Sequence, residues 1–258
     1  MTNSSISLGA QSAPVALVTG SGAPRVGNTI ARALAAAGYR LMIHANTSRE
    51  QAEATAAELR AAGGDALAVC ADLRIEQAVV ELVAATRAHF GRLDVLVNAA
   101  AIWQRKPLEL VSAADVRLHF ESNTLATFLC CRAAGMIMVQ QETGGAIVNI
   151  GDWATVRPYL DYSAYFASKG SIPTMTRDLA VELAARNPRV RVNAVLPGPV
   201  MLPPDLPAEE RAAAIAGTLV KREGTPEHVA DAALFLVRND FVTGVCLPVD
   251  GGRSISGR

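Results

Sequence analysis

An excess of charge of one sign is what this 258-residue sequence most plainly lacks: Lys plus Arg and Asp plus Glu each number 24, so the formal net charge is zero. No run of Lys or Arg appears, nor any interleaving of basic and aromatic residues. That removes the electrostatic argument for nucleic acid or an anionic membrane as partner. Cysteine is scarce. Cys70, Cys130, Cys131 and Cys246 form no CxxC and keep no ligand-like spacing to histidine, so they read as small core residues rather than a zinc or redox site. His44, His89, His119 and His228 are scattered along the chain, and no metal is expected. No apolar run reaches membrane-spanning length. The opening MTNSSISLGAQSA has neither the basic start nor the apolar centre of a secretory signal; residues 1–13 read as a flexible tail and the chain as cytoplasmic.

Alternation is what the sequence does have. Hydrophobic residues make up 50% of the chain and charged residues 19%, as suits a buried parallel sheet. Nearly continuous apolar runs at 15–19, 40–45, 66–71, 93–98, 146–150, 191–195 and 246–249 predict strands. Helical patterns fall between them at 27–37, 48–62, 75–90, 113–139, 164–186 and 226–237. This order predicts an α/β fold: a Rossmann-type doubly wound parallel sheet of about seven strands with helices on both faces, in one domain over residues 14–258. The stretch LPGPVMLPPDLPA at 196–208 holds five prolines. It follows a strand's carboxyl end, where such sheets bind ligands, and is read as a substrate-covering loop.

The first strand leads into Gly20-Ser21-Gly22-Ala23-Pro24-Arg25-Val26-Gly27 and then a helix. Glycine lets the backbone approach a diphosphate, and a helix start offers free N–H groups and a positive dipole end. Arg25 stands where a third glycine is common, and its guanidinium suits a phosphate. After the second strand, His44, Asn46, Thr47, Ser48 and Arg49 supply donors where NAD-preferring folds place an acid. NADPH, with its 2′-phosphate, is therefore the expected cofactor. The alternative for Ser48 is a helix cap.

Tyr165 and Lys169 form Y-x-x-x-K on one helical face, where an ammonium is expected to lower the phenol's pKa toward working pH. Asp152 lies 13 residues before Tyr165, just after Asn149-Ile150. With Thr19-Gly20…Gly27, Asp72-Leu73, Asn98-Ala99, Asn123, Pro197-Gly198 and Val249-Asp250-Gly251-Gly252, the chain resembles the short-chain dehydrogenase/reductases from Val15 to Gly252. The resemblance implies that Tyr165 exchanges a proton with substrate, Lys169 holds the nicotinamide ribose, and Asn123 anchors a water leading to Lys169. It further implies that Asp72 and Leu73 meet adenine, Asn98 and Ala99 line the cofactor groove, and Pro197, Gly198 and Val200 border the nicotinamide. A homotetramer is implied as well.

Asp152 occupies the position where that family usually has serine. A serine hydroxyl donates to a carbonyl oxygen; an ionised carboxylate does not. A carboxyl group can pass a proton to a ring nitrogen, and in this respect the chain is similar to the pteridine and dihydromonapterin reductases. The likeness implies a pterin-like C=N substrate contacted by Arg25, Ile102, Trp103, Asp152, Trp153, Tyr162 and Tyr165. Trp103 has an equal reading as rim or interface packing, Trp153 as packing, and Asp161 as a cap or dipole partner of the catalytic helix. An NADPH-dependent carbonyl reductase and a non-catalytic NADPH sensor are the competing functions.

Overall fold

The computed structural model describes residues 13–256, so the predicted tail lies outside the described residues except for Ala13. The strands are β1 (Val15–Thr19), β2 (Arg40–Ala45), β3 (Ala66–Cys70), β4 (Val95–Asn98), β5 (Gly145–Ile150), β6 (Val190–Pro197) and β7 (Cys246–Val249). They pair in parallel in the order β3-β2-β1-β4-β5-β6-β7. Their apolar runs are continuous because each strand has a core on both faces. In β1, Ala16 and Val18 pack with Leu41 and Ile43 beneath α1 (Val26–Ala36), α2 (Arg49–Ala61) and α9 (Pro226–Arg238). Val15 and Leu17 pack with Met42 and Leu96 on the opposite face. That face is covered by α3 (Glu76–Phe90), α5 (Ala126–Met138) and α7 (Ser171–Ala184).

The sheet reverses its strand order between β1 and β4. This opens a crevice above their carboxyl ends, where the glycine turn, Asn98 and the residues after β5 converge.

Several predicted boundaries move. β4 begins at Val95 rather than Leu93, because the Leu93 N–H is already bound by Gln141 Oε1 at 3.0 Å. β6 continues through Pro197, two residues into the proline-rich stretch. Beyond that stretch lies a helix that the sequence pattern did not predict, α8 (Ala208–Ala216). The predicted 113–139 helix is a helical run in three parts: α4 (Ala113–His119), a π-helical turn (Phe120–Leu125) and α5. The predicted 164–186 helix is α6 (Ser163–Lys169) and α7, parted at Gly170. Pro173 has no N–H to return to the Lys169 carbonyl, so the ladder lapses there.

Candidate active site

The glycine turn is held from behind by β2. Ser21 and Gly22 donate their N–H groups to the His44 carbonyl at 3.0 and 3.2 Å, and Gly20 donates to His44 Nδ1 at 3.1 Å. Gly20 has φ +65°, and a Cβ there would lie 2.8 Å from Ala100 Cα, so only glycine fits between the turn and the segment after β4. A Cβ on Gly27 would likewise meet the Gly20 carbonyl oxygen at 2.7 Å, which sets how closely α1 approaches the turn.

His44 itself is a correction. It was expected to face the cofactor phosphate, yet it is buried, and Nδ1 accepts from Gly20 while Nε2 lies 3.0 Å from the Ala71 carbonyl. One neutral tautomer satisfies both contacts, and burial pushes the imidazole's pKa down. No ring donor is left for a phosphate, so His44 positions the turn.

The other phosphate candidates do face outward. Asn46, Thr47 and Arg25 are exposed, and Ser48 is half-buried. Neither Ser48 nor Arg25 makes a side-chain cap bond to the helix it precedes, so the capping alternative for Ser48 is not met. Val26 and Gly27 begin α1 with its unpaired first-turn N–H groups at the crevice. A dinucleotide's phosphates fit this arrangement of backbone donors and free cationic and polar side chains.

Asp72 is half-exposed and paired with Arg74 at 2.6 Å, which holds its carboxyl below the usual range, while Leu73 is buried. The Asn98 side chain, expected to line the groove, turns into the sheet instead. It donates to Asn149 Oδ1 at 2.9 Å and lies 3.1 Å from Cys131 Sγ. A buried amide needs such partners, and Asn149 supplies one while donating to Thr176 Oγ1. The Ala99 and Ala100 N–H groups both donate to Thr19 Oγ1, at 3.0 and 3.1 Å. Pro197 and Gly198 follow β6, and Gly198 donates to the Val249 carbonyl at 2.9 Å. A Cβ on Gly198 would lie 2.5 Å from Asp250 Cα, and Val200 is buried just beyond.

At the centre stand Asp152, Tyr165 and Lys169. Asp152 directly follows β5 and Gly151, and its Oδ1 accepts from Ala154 N–H at 2.7 Å. Tyr165 Oη donates to Asp152 Oδ2 at 2.6 Å. Lys169, one turn along α6, is buried and donates to the Ile150 carbonyl at 2.7 Å. Burial lowers its pKa to about 8. Burial also raises the Asp152 carboxyl above the ordinary aspartate range.

The expected lowering of the Tyr165 pKa is overturned. Burial first, then the neighbouring Asp152 carboxylate, push it well above the usual phenol value. Tyr165 is therefore a phenol that donates to Asp152.

Asn123 is fully buried in the π-helical turn. Its Oδ1 accepts from Ile102 N–H at 2.8 Å, and its Nδ2 donates to the Ile102 carbonyl and to Ser168 Oγ at 3.0 and 2.9 Å. It thus clamps the chain after β4 to the catalytic helix. A π turn widens the backbone at one point and is frequent at functional sites.

Along the rim, Trp103 stacks on Tyr162, with ring centroids 4.7 Å apart and planes 12° off parallel. Tyr159, not singled out from the sequence, packs edge-on against Tyr162 and Phe166. Trp153 follows Asp152 and carries the Arg253 guanidinium 5.3 Å above its ring. Asp161 is not a cap: it sits at φ +70° and pairs with Arg105 at 3.1 Å.

A switch-point crevice edged by a glycine turn, with a buried Tyr–Lys pair at its floor, defines a nicotinamide-dinucleotide oxidoreductase. The family model described as enoyl-(acyl carrier protein) reductase matches residues 23–254. The human 3-oxoacyl-[acyl-carrier-protein] reductase is 36% identical, covering 90% of this chain and 94% of its own. Pteridine reductase 1 of Leishmania tarentolae is 34% identical, covering 95% and 97% respectively. The solved structure of a blue fluorescent protein from a metagenomic library in complex with NADPH is 33% identical with a TM-score of 0.85, covering 93% of this chain and 98% of that one. The chain belongs to the short-chain dehydrogenase/reductase family.

Proposed function

We infer that this chain is an NADPH-dependent reductase of a pterin-like C=N substrate. The observation that carries this reading is the 2.6 Å hydrogen bond from Tyr165 Oη to an Asp152 whose carboxyl is raised by burial. NADPH, when bound, supplies the hydride. Asp152 then delivers a proton to the basic ring nitrogen, Tyr165 holds the carboxyl in place, and Lys169 keeps a positive charge beneath them. Arg25, Asn46, Thr47 and Ser48 hold the 2′-phosphate. Asn46→Asp is accordingly expected to raise the KM for NADPH at least tenfold through charge repulsion and to narrow the preference over NADH, as steady-state titration of both cofactors would show.

The second reading, a carbonyl reductase, is favoured by the similarity to 3-oxoacyl-[acyl-carrier-protein] reductases. The deciding assay follows NADPH oxidation with 7,8-dihydrobiopterin against simple ketones and diketones. Turnover of the dihydropterin with NADPH, and slow turnover with NADH, supports the first reading. Turnover of ketones alone removes it.

The same reading includes a homotetramer. Phe120, Leu125 and Phe128 are exposed along the π turn and α5, where a second copy has apolar surface to cover.

A further inference from the structure

The segment between β6 and α9 crosses the mouth of the crevice. It leaves β6 at Pro197, carries α8, and returns to the body of the protein at Thr218, which is buried. Arg105, in the connection that leaves β4, reaches Glu210 on α8 at 3.4 Å. In the sheet, β5 lies between β4 and β6. A segment that starts from β6 and touches the connection from β4 therefore passes over the carboxyl end of β5, where Asp152 stands.

Nothing apolar holds α8 down. None of its nine residues is buried, although Ala212, Ala213, Ala214 and Ile215 are among them. A short helix that buries no face draws little stability from packing and belongs with the parts of a fold that open readily. Two adjacent charged residues hold it instead. Arg211 fastens it to its own base, with Nη1 2.7 Å from Glu223 Oε2 and Nη2 2.8 Å from the Pro203 carbonyl oxygen. Glu210 fastens it across, to Arg105. Among the described residues this is the one ion pair that joins α8 to the far side of the crevice.

Arg105 is itself preset for that contact. Its Nε donates to Asp161 Oδ2 at 3.1 Å, and the Lys106 N–H donates to the Asp161 carbonyl oxygen at 2.7 Å. Asp161 sits in the left-handed region, which aspartate accepts better than most residues. A guanidinium bound to one carboxylate keeps donors for a second, and here Nη1 serves Glu210. Both side chains of the crossing pair are about half exposed, at 53% and 48%. Such a contact is weak and reversible, which suits a latch better than a permanent brace.

We propose that Arg105 is a positioning residue that latches α8 over Asp152, closing the crevice on bound substrate and letting product leave when the pair parts. The proposal rests on the reductase reading only in that a substrate is there to be retained. Either a ring C=N or a ketone satisfies it.

Two readouts test the latch, and one needs no turnover. Amide hydrogen exchange with NADPH bound, read by mass spectrometry, compares α8 with α6. Glu210→Gln is expected to speed exchange in α8 about threefold and to leave α6 unchanged, since an exposed pair is worth about that much. At saturating NADPH, with an uncharged substrate such as 7,8-dihydrobiopterin or a diketone, the same variant should raise substrate KM about threefold while kcat holds or rises. Arg105→Gln should do at least as much, and adding Glu210→Gln to it should do nothing further. Arg105→Lys, which keeps a cation, should recover part of the loss. Raising the salt from about 0.02 M to about 0.5 M should raise KM in the unmodified protein and leave Glu210→Gln unmoved. Unchanged exchange in α8 of Glu210→Gln overturns the latch, as do KM losses that add in the double variant or a fall in kcat at constant KM. If α8 responds while neither substrate class is reduced, the reductase reading fails and the latch stands. Turnover with no response of α8 does the reverse.

Discussion

Tyr165→Phe is expected to lower kcat/KM by about 10²- to 10⁴-fold, on the order of 3–5 kcal/mol of transition-state stabilisation, while NADPH binding stays near its original strength. The substitution removes one oxygen and keeps the ring in its buried place against Phe166, from which its centroid lies 5.3 Å. What is lost is the donor that grips Asp152 Oδ2. Stopped-flow rates and cofactor fluorescence titration separate the two effects, and a loss smaller than tenfold would remove Tyr165 from proton transfer. A pH profile adds a second check. Lys169 has its pKa lowered to about 8, so its ammonium is fully present below that value and is lost as pH rises through it. The rate should therefore decline above pH 8 or so, and Lys169→Arg should carry that decline to higher pH.

Asp152→Ser has the second large effect, and its direction depends on the substrate. With a C=N compound the rate should fall about 10²-fold or more, because a serine hydroxyl is far too weak an acid to give a proton to a ring nitrogen. With a ketone the rate should hold or rise, since the hydroxyl donates to the carbonyl oxygen where an ionised carboxylate repels it. The raised carboxyl of Asp152 sets the matching pH trend: protonated to a higher pH than usual, it serves as an acid until pH climbs through its value. Imine reduction should accordingly decline with rising pH in the wild-type enzyme, and Asp152→Ser should flatten that decline. Equal losses on both substrate classes would dissociate Asp152 from the choice of substrate.

How much of this was legible in the sequence varies by residue. The strands stood out because both faces of the sheet are covered, which leaves runs such as Val15–Thr19 apolar throughout. The glycine turn and the Tyr165–Lys169 spacing were legible because backbone approach and helical repeat leave short-range marks. The role of His44 was hidden because its partners, Gly20 and Ala71, lie 24 and 27 positions away. The direction of the Tyr165 pKa was misread because spacing reports a nearby ammonium but not burial, which raises the phenol most, with the Asp152 carboxylate adding to it. α8 was missed because five prolines dominate the stretch before it. The π turn was invisible since Phe-Glu-Ser-Asn-Thr-Leu carries no compositional mark of wider winding. Arg105 gave no signal at all, since its partners Asp161 and Glu210 lie 56 and 105 positions away.

The π turn at Phe120–Leu125 also limits how the gene can change length. Each residue added to or removed from a helix rotates everything beyond it by about 100°. Upstream of the turn, a deletion would swing Asn123 away from Ile102 and Ser168. Downstream, it would rotate Leu129, Cys130 and Met138 off the sheet. Point substitutions can be absorbed on the outer face of this helical run, but single-codon insertions and deletions within it cannot. Variation in chain length should therefore collect in the surface connections on either side of the run.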